Sequence, residues 1–255
     1  MSPDFVVTTN IETTPVLIKE AQDLATEYGG VYVKRHKLTV QALRRQYGSV
    51  LIVYKEQLVY VDGVSGEKLF FHPNTAQLRI LNGRDPLIEA LALPEGARVI
   101  DATMGLATDS VVMASFGYHV MAIEANPITE LIVRRGLERA TSDDARLSQS
   151  MWRIETICAN SLDYLRQLPD KSVEAVYFDP MFRQEISDSH NLDGVRALAN
   201  SQPLTAELLE EAKRVASNRI VVKAHFRDDV FERFGLTRIR RKNTKFHYGY
   251  LNLEE

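Results

Sequence analysis

The sequence predicts an α/β protein whose main sheet is mostly parallel and ends in an antiparallel hairpin, with a small α/β appendage at the N-terminus. Three observations predict it. From residue 97 onward, apolar runs of strand length alternate with segments of helical period. The last two strand-like runs, "LTRIRRKN" and "KFHYGYLNL", follow each other with no helix between them. The first part of the chain carries shorter strands and helices of its own. The expected division is residues 1–72 for the small unit and 73–255 for the main domain.

In the small unit, "DFVVTT" is a short β-branched run. "PVLIKEAQDLATEYG" starts on a proline suited to a first helical turn and stops at Gly29–Gly30. "GVYVKR" and "SVLIVYKEQLVYVDG" read as strands, with "TVQALRRQYG" as a helix between them, capped by Thr39 and ended by Gly48. "NTAQLRILNGRDPLIEALAL" is helical in period, breaks at Gly83 and restarts near Asp85–Pro86. The main domain then alternates "ARVIDAT" (strand), "ATDSVVMASFG" (helix), "YHVMAIEAN" (strand), "PITELIVRRGLERA" (helix) and "RIETICAN" (strand). It continues through "SLDYLRQLP" (helix), "SVEAVYFD" (strand), "LTAELLEEAKRVA" (helix) and "RIVVKAHF" (strand). A parallel sheet finished by a hairpin is the class I methyltransferase (Rossmann-like) order rather than that of a plain dinucleotide-binding domain.

Composition bounds the function. The 255 residues suffice for one large domain with an appendage, and 45% hydrophobic with 25% charged residues is ordinary for a globular protein. A net charge of −3 excludes a polycation, so any nucleic acid must meet a local basic face. The single cysteine, Cys158, excludes an internal disulfide and a cysteine-based zinc site, and its place in a strand predicts a small core residue. His190 and His225 lack partners at metal-ligand spacing, so no metal is expected. The first residues do not read as a signal peptide, and no apolar run approaches the roughly 18 residues of a membrane span. The expectation is a cytoplasmic protein without a membrane partner.

Ligands of such sheets bind beyond the carboxyl ends of the strands. The first strand of the main domain ends in "VIDATMGLATDS": Asp101 closes it, Thr103 and Gly105 lie in the turn, and Thr108 and Asp109 open the next helix. The second strand ends at Glu124, where an acid suits ribose hydroxyls, followed by Ala125. The third ends at Asn160–Ser161, polar groups suited to an adenine edge. No G-x-G-x-x-G fingerprint is present, which argues against a pyrophosphate. S-adenosyl-L-methionine has no phosphate, and its ammonium and ribose hydroxyls call for carboxylates, which Asp101, Asp109 and Glu124 supply.

The fourth strand runs out through "YFDPMFRQ". Methyl transfer to an exocyclic amine of a nucleobase is hindered because the lone pair is delocalised into the ring. Acceptors beside the N–H bonds favour the tetrahedral nitrogen of the transition state. Asp179 offers a carboxylate and Pro180 a carbonyl with no competing N–H. Phe182 is suited to stack on the base. Lys223 ends the fifth strand on the ligand side. "RIRRKNTKFHYGY", with Arg240, Arg241 and Lys242, interleaves cations and aromatic rings as an RNA-tracking surface does; it also fits a charged edge strand.

With these residues in place, the sequence resembles the RsmJ-type family, which methylates guanine N2 in small-subunit rRNA. The resemblance lies in "VIDATMGLATDSVVMASFGYHVMAIEANP" and "VYFDPMF", which match its D-A-T-x-G-L-x-x-D and D-P-M-F blocks. It spans roughly residues 75–250 and is weak before them. The resemblance implies S-adenosyl-L-methionine contacts at Thr108, Asp109, Glu124, Ala125, Asn160, Ser161 and Asp179. Met181 and Arg183, flanking Phe182, are expected beside the substrate. Ala107 replaces a usual glycine, Thr108 and Ala125 stand where arginine is common, Asn160 replaces a serine, and Arg183 a proline. The expected partner is RNA, as rRNA or the small ribosomal subunit. The alternatives are a small-molecule or protein methyltransferase, or a binding module that keeps the fold without catalysis.

Overall fold

A computed structural model describes residues 5–140, 145–180, 203–242 and 244–253, with the side chains of residues 145 and 146 outside the description. The chain groups into two units. The first comprises the residues up to His72 together with Asn126–Ala140; the second is formed by Pro73–Ala125 and most of the chain after Ala140.

The first unit holds β1 (Phe5–Thr9), α1 (Pro15–Glu27), β2 (Val31–Tyr32), α2 (Val40–Tyr47), β3 (Ser49–Val53), β4 (Leu58–Val61) and β5 (Lys68–Leu69). The strands form one sheet in the order β2-β1-β3-β4-β5. β1 runs parallel to β2 and β3, whereas β3, β4 and β5 pair antiparallel. The long run "SVLIVYKEQLVYVDG" is therefore a hairpin, turned where Tyr54 N–H donates to the Gln57 carbonyl at 3.0 Å. Both helices begin as the sequence predicts: Thr14 and Thr39 hydroxyls accept from Leu17 and Ala42 amides at 3.3 and 3.1 Å, caps worth about 1 kcal/mol each. Val6, Leu43, Val50, Ile52, Val59 and Val61 form the buried cluster beneath.

The second unit begins with α3 (Asn74–Leu81) and α4 (Pro86–Leu91). The break between them follows the sequence: Gly83 has φ +70°, and the Asp85 carboxylate caps α4 by accepting from Leu87 N–H at 2.9 Å. Then come β6 (Arg98–Asp101), α5 (Thr108–Ser115), β7 (His119–Glu124), α6 (Pro127–Arg139), α7 (Ala145–Met151), β8 (Ile154–Cys158) and α8 (Ser161–Leu165). β9 (Val173–Phe178), α9 (Ala206–Val215), β10 (Ala216–His225), α10 (Val230–Arg233), β11 (Thr237–Ile239) and β12 (Phe246–Asn252) complete the chain. The sheet order is β11-β12-β10-β9-β6-β7-β8. β6 to β10 run parallel to one another, and β12 is antiparallel to both β10 and β11. The class I order is thus realised, hairpin included.

The central strands read as continuous apolar runs because helices cover both faces. Tyr177 and Phe178 of β9 are fully buried, as are Ile220, Val221 and Val222 of β10. β8 lies at the sheet's edge, and Cys158 there is exposed, not a core residue. The expectation failed because an edge strand has one neighbour and leaves part of its surface to solvent.

Helix α6 follows β7 in the chain but groups with the first unit. Arg139 donates to the Tyr54 carbonyl at 3.1 Å and pairs with Glu20, and Arg134 donates to the Tyr28 hydroxyl at 3.2 Å. Gly136 lies so close to Phe71 that a Cβ would sit 2.4 Å from its side chain. Among the described residues, no helix is long and apolar enough to cross a membrane, and no cluster of histidine, cysteine and acidic side chains is placed to hold a metal ion.

Candidate active site

The strand ends meet around the turn after β6. Ala102 N–H donates to the Tyr177 carbonyl on β9 at 2.9 Å, and Met104 N–H to the Ile123 carbonyl on β7 at 3.0 Å. This stitches the turn across three strands. Asp101 is only 1% exposed. Its carboxylate accepts from Thr103 N–H at 3.1 Å and from the Ser110 hydroxyl at 2.6 Å. Burial pushes its carboxyl up to about 7, against the lowering effect of the Ser110 hydrogen bond. Asp101 is thus a latch between β6 and α5. The Thr103 hydroxyl accepts from Asp179 N–H at 2.6 Å, so the turn also fixes the exit of β9.

Gly105 has φ +52°, and the nearest atom to the position of a Cβ is the Thr103 carbonyl at 4.0 Å. Its N–H donates to Glu124 Oε2 at 3.2 Å. The turn therefore keeps open space beside a carboxylate whose orientation it sets. Ala107 also has positive φ, +58°, a backbone conformation that glycine adopts at less cost.

Beneath this turn lies a buried charge network that the sequence did not reveal. Asp109 is 8% exposed. One of its oxygens pairs with Arg79; the other accepts from the Tyr177 hydroxyl at 2.8 Å and from Lys223 Nζ at 3.1 Å. Arg79 grips Asp85 with two nitrogens at 2.8 Å each. Lys223 Nζ also donates to Asp179 Oδ2 at 2.6 Å. Burial opposes the charge on Asp109, but Lys223 and Arg79 outweigh it and hold its carboxyl well below the usual range. Burial pushes the Asp179 carboxyl up, with Lys223 pulling the other way and Asp109 adding to the rise. Burial likewise opposes the Lys223 charge, yet Asp109 and Asp179 together raise its pKa. The pair of acids shares one ammonium, and Asp179 is the more basic of the two.

The predicted residues separate into groups. Asp179, Thr103, Gly105 and Glu124 come together at the strand ends, with Thr108 and Ala125 partly exposed beside them. Asp101 and Asp109 lie below, with both oxygens engaged. Asn160 Oδ1 accepts from Leu162 and Asp163 amides at 3.0 and 3.3 Å and so caps α8. The buried Ser161 hydroxyl donates to the Ala102 carbonyl at 2.6 Å. Lys223 is engaged with carboxylates. Pro180 is partly exposed, while Met181, Phe182 and Arg183 lie outside the described residues. Arg240, Arg241 and Lys242 lie in the turn between β11 and β12. Because Phe246 pairs with His225, that turn sits at the carboxyl end of β10. Arg79, Asp85, Ser110 and Tyr177 were missed. Tyr177 had a signal, since it precedes Asp179 by two residues and shares its side of the strand. Arg79 had none, being 30 positions from its partner.

The arrangement can hold S-adenosyl-L-methionine. The Glu124 carboxylate is fixed at the end of β7 as ribose hydroxyls require, the space at Gly105 admits a ligand against the backbone, and Asp179 lies across β6 with its carboxylate partly exposed. A family model described as "Putative SAM-dependent methyltransferase" matches residues 33–248. The chain is 34% identical over 254 residues to a Bacillus subtilis (strain 168) protein named "Uncharacterized protein YpiP", covering 96% of this chain and 98% of that one. It is 32% identical over 171 residues to ribosomal RNA small subunit methyltransferase J of Thioalkalivibrio sulfidiphilus, covering 65% of each chain. The match to the same enzyme of Desulfotalea psychrophila is 30% identical and covers 66% of this chain and 63% of that one. Among solved structures, the SAM-dependent methyltransferase NGO1261 of Neisseria gonorrhoeae shares the fold, with a TM-score of 0.65 at 20% identity over 97% of this chain and 95% of that one. The family model spans both blocks of the site, and the chain belongs to the SAM-dependent methyltransferases, with S-adenosyl-L-methionine as its cofactor.

Proposed function

We propose that the protein methylates an exocyclic amine of a nucleobase in small-subunit rRNA, with guanine N2 as the target. The observation that carries this reading is Asp179 at the end of β9 before Pro180: its carboxylate accepts from Lys223 Nζ at 2.6 Å, and its backbone N–H donates to the Thr103 hydroxyl at 2.6 Å. The relatives named as ribosomal RNA small subunit methyltransferases support the substrate class.

The cofactor supplies a methyl group already activated on sulfonium. The residues of this chain must orient the amine and dispose of its proton. Asp179 accepts a hydrogen bond from the amine N–H and draws the nitrogen out of the ring plane, which frees its lone pair. As the C–N bond forms and the C–S bond breaks, the nitrogen becomes positive and releases one proton. Asp179 takes that proton, and its raised basicity suits the task. Lys223 keeps the carboxylate charged until then. A base in a helix cannot bring its amine to such a pocket, so the substrate base is unpaired or extruded.

The test compares small-subunit rRNA nucleosides from cells with and without the protein, alongside methyl transfer by purified protein to subunits from the deficient cells. Loss of N2-methylguanosine, restored in vitro, is expected. Unchanged rRNA, with label passing to a protein or small-molecule fraction, would replace the substrate class. Cofactor binding without transfer to any acceptor would leave a non-catalytic module.

A further inference from the structure

We propose that the rings of His225, Phe226 and Phe246 form a stacking floor for an RNA base flanking the target, with Arg227 placed for the adjoining phosphate. The proposal rests on the RNA reading above and extends it to how the strand is gripped.

The position follows from register. Val221 and Val222 of β10 lie opposite Tyr177 and Phe178 of β9, which carries Lys223 alongside Asp179. Two residues on, His225 lies on the same side of the sheet as Lys223. Its partner on β12 is Phe246, as the partner of Lys223 is Tyr248. Moving outward along this face, the buried charge network gives way to rings at the end where ligands bind. The His225 and Phe246 rings meet edge to face, with centroids 6.2 Å apart at 81°. Phe226 tilts against His225 at 4.6 Å. Lys223 Nζ lies 5.7 Å from the Phe246 centroid, tying the floor to the Asp179 pair.

Phe226 is 39% exposed although its backbone is pinned on both sides. Its N–H donates to the Lys245 carbonyl at 2.9 Å, and its carbonyl accepts from Arg238. A ring held in water by a fixed backbone is ready to stack without an ordering cost. The exposed Arg227 guanidinium lies 5.1 Å over it, an arrangement suited to a base on the ring and a phosphate beside it. Asp228 and Asp229 follow Arg227, and Glu232 pairs with Arg238; the charge that matches an RNA strand lies on the β11–β12 side of the floor. Between Thr237 and Gly249 the chain has Arg238, Arg240, Arg241, Lys242 and Lys245 and no acidic residue. A neutral apolar partner would gain nothing from those cations.

The probe is a short single-stranded RNA carrying one 2-aminopurine, whose fluorescence falls when it stacks. Wild-type protein should bind it and quench it. Phe226→Ala should lose roughly tenfold in affinity and most of the quenching, since stacking is removed, and Phe226→Trp should restore both. Affinity for S-adenosyl-L-methionine and the melting temperature should stay as in wild type. With small subunits as substrate, Phe226→Ala should raise KM and leave kcat within about twofold. If wild type methylates subunits while Phe226→Ala binds, quenches and turns over equally, the floor is wrong and the RNA reading stands. If wild type neither binds the oligonucleotide nor methylates subunits, both are wrong.

Discussion

Lys223 Nζ stands 2.6 Å from the Asp179 carboxylate and 3.1 Å from that of Asp109, so one ammonium joins the residue at the exit of β9 to the buried base of the site. Asp109 in turn engages Arg79, and Arg79 engages Asp85. The chain of charges runs from α4 to the mouth of the site; its acids Asp85 and Asp109 are buried, while Arg79, Lys223 and Asp179 each keep part of their side chain open.

Lys223→Met should therefore do two things. It strands two carboxylates and should lower unfolding free energy by about 3 kcal/mol, the size expected when one partner of a buried pair is removed. It also removes the charge that pulls the Asp179 pKa down, so the acid limb of the methyl-transfer profile should move to higher pH. Urea titration and a pH–rate profile check the two effects separately. An unmoved acid limb would show that Asp179 does not need to be ionised.

Asp179→Asn should keep the fold, because the Thr103 contact uses the backbone N–H. It should slow single-turnover transfer by a hundredfold or more, the typical contribution of a positioned general base. Wild-type rates in the variant would remove Asp179 from the chemistry.

Glu124→Ala should weaken cofactor binding by roughly a hundredfold, since two hydrogen bonds to a charged acceptor are worth about 3 kcal/mol. Calorimetric titration measures it directly. An unchanged Kd would place the ribose elsewhere.

Asp101 should make stability depend on pH in an unusual sense. Its folded pKa, about 7, lies above the ordinary 3.8. The folded state thus holds the proton more tightly, and the contribution present below about pH 4 is lost as pH rises to 7. Asn at this position accepts from Thr103 N–H and donates to Ser110 without titrating. Asp101→Asn should therefore gain on wild type by roughly 2–3 kcal/mol between pH 5 and pH 8. Parallel stability curves for the two proteins would show that the carboxylate is comfortable when charged.

Gly136→Ala should destabilise the protein by about 1–3 kcal/mol. Alanine is the better helix former by roughly 1 kcal/mol, but its Cβ would meet the Phe71 side chain at 2.4 Å. The clash should win, and a higher melting temperature in the variant would show that Phe71 yields freely.

Much of the fold was legible because local chemistry repeats at fixed periods. Thr14, Thr39 and Asp85 cap helices where short-range hydrogen-bonding rules place them, and the alternation of β6 to β10 with helices dictates a parallel sheet. The positions of the candidate residues were legible for a related reason: the strands could be counted, so Asp101, Glu124 and Asp179 could be placed at strand ends. Their environments were not. Asp101, Asp109 and Glu124 are alike as sequence, acids at a strand end or in the first turn of the helix that follows. Only packing made the first a buried latch whose carboxyl is pushed up to about 7, the second a partner of Arg79 and Lys223, and the third an acceptor for the Gly105 N–H. Cys158 was misjudged because a strand's place in its sheet is set by pairing with distant residues. The grouping of α6 with the first unit depends on Arg139 meeting Glu20 and Tyr54, contacts 119 and 85 positions away. Local sequence determines elements and their ends; which charges neutralise one another is decided by residues that only folding brings together.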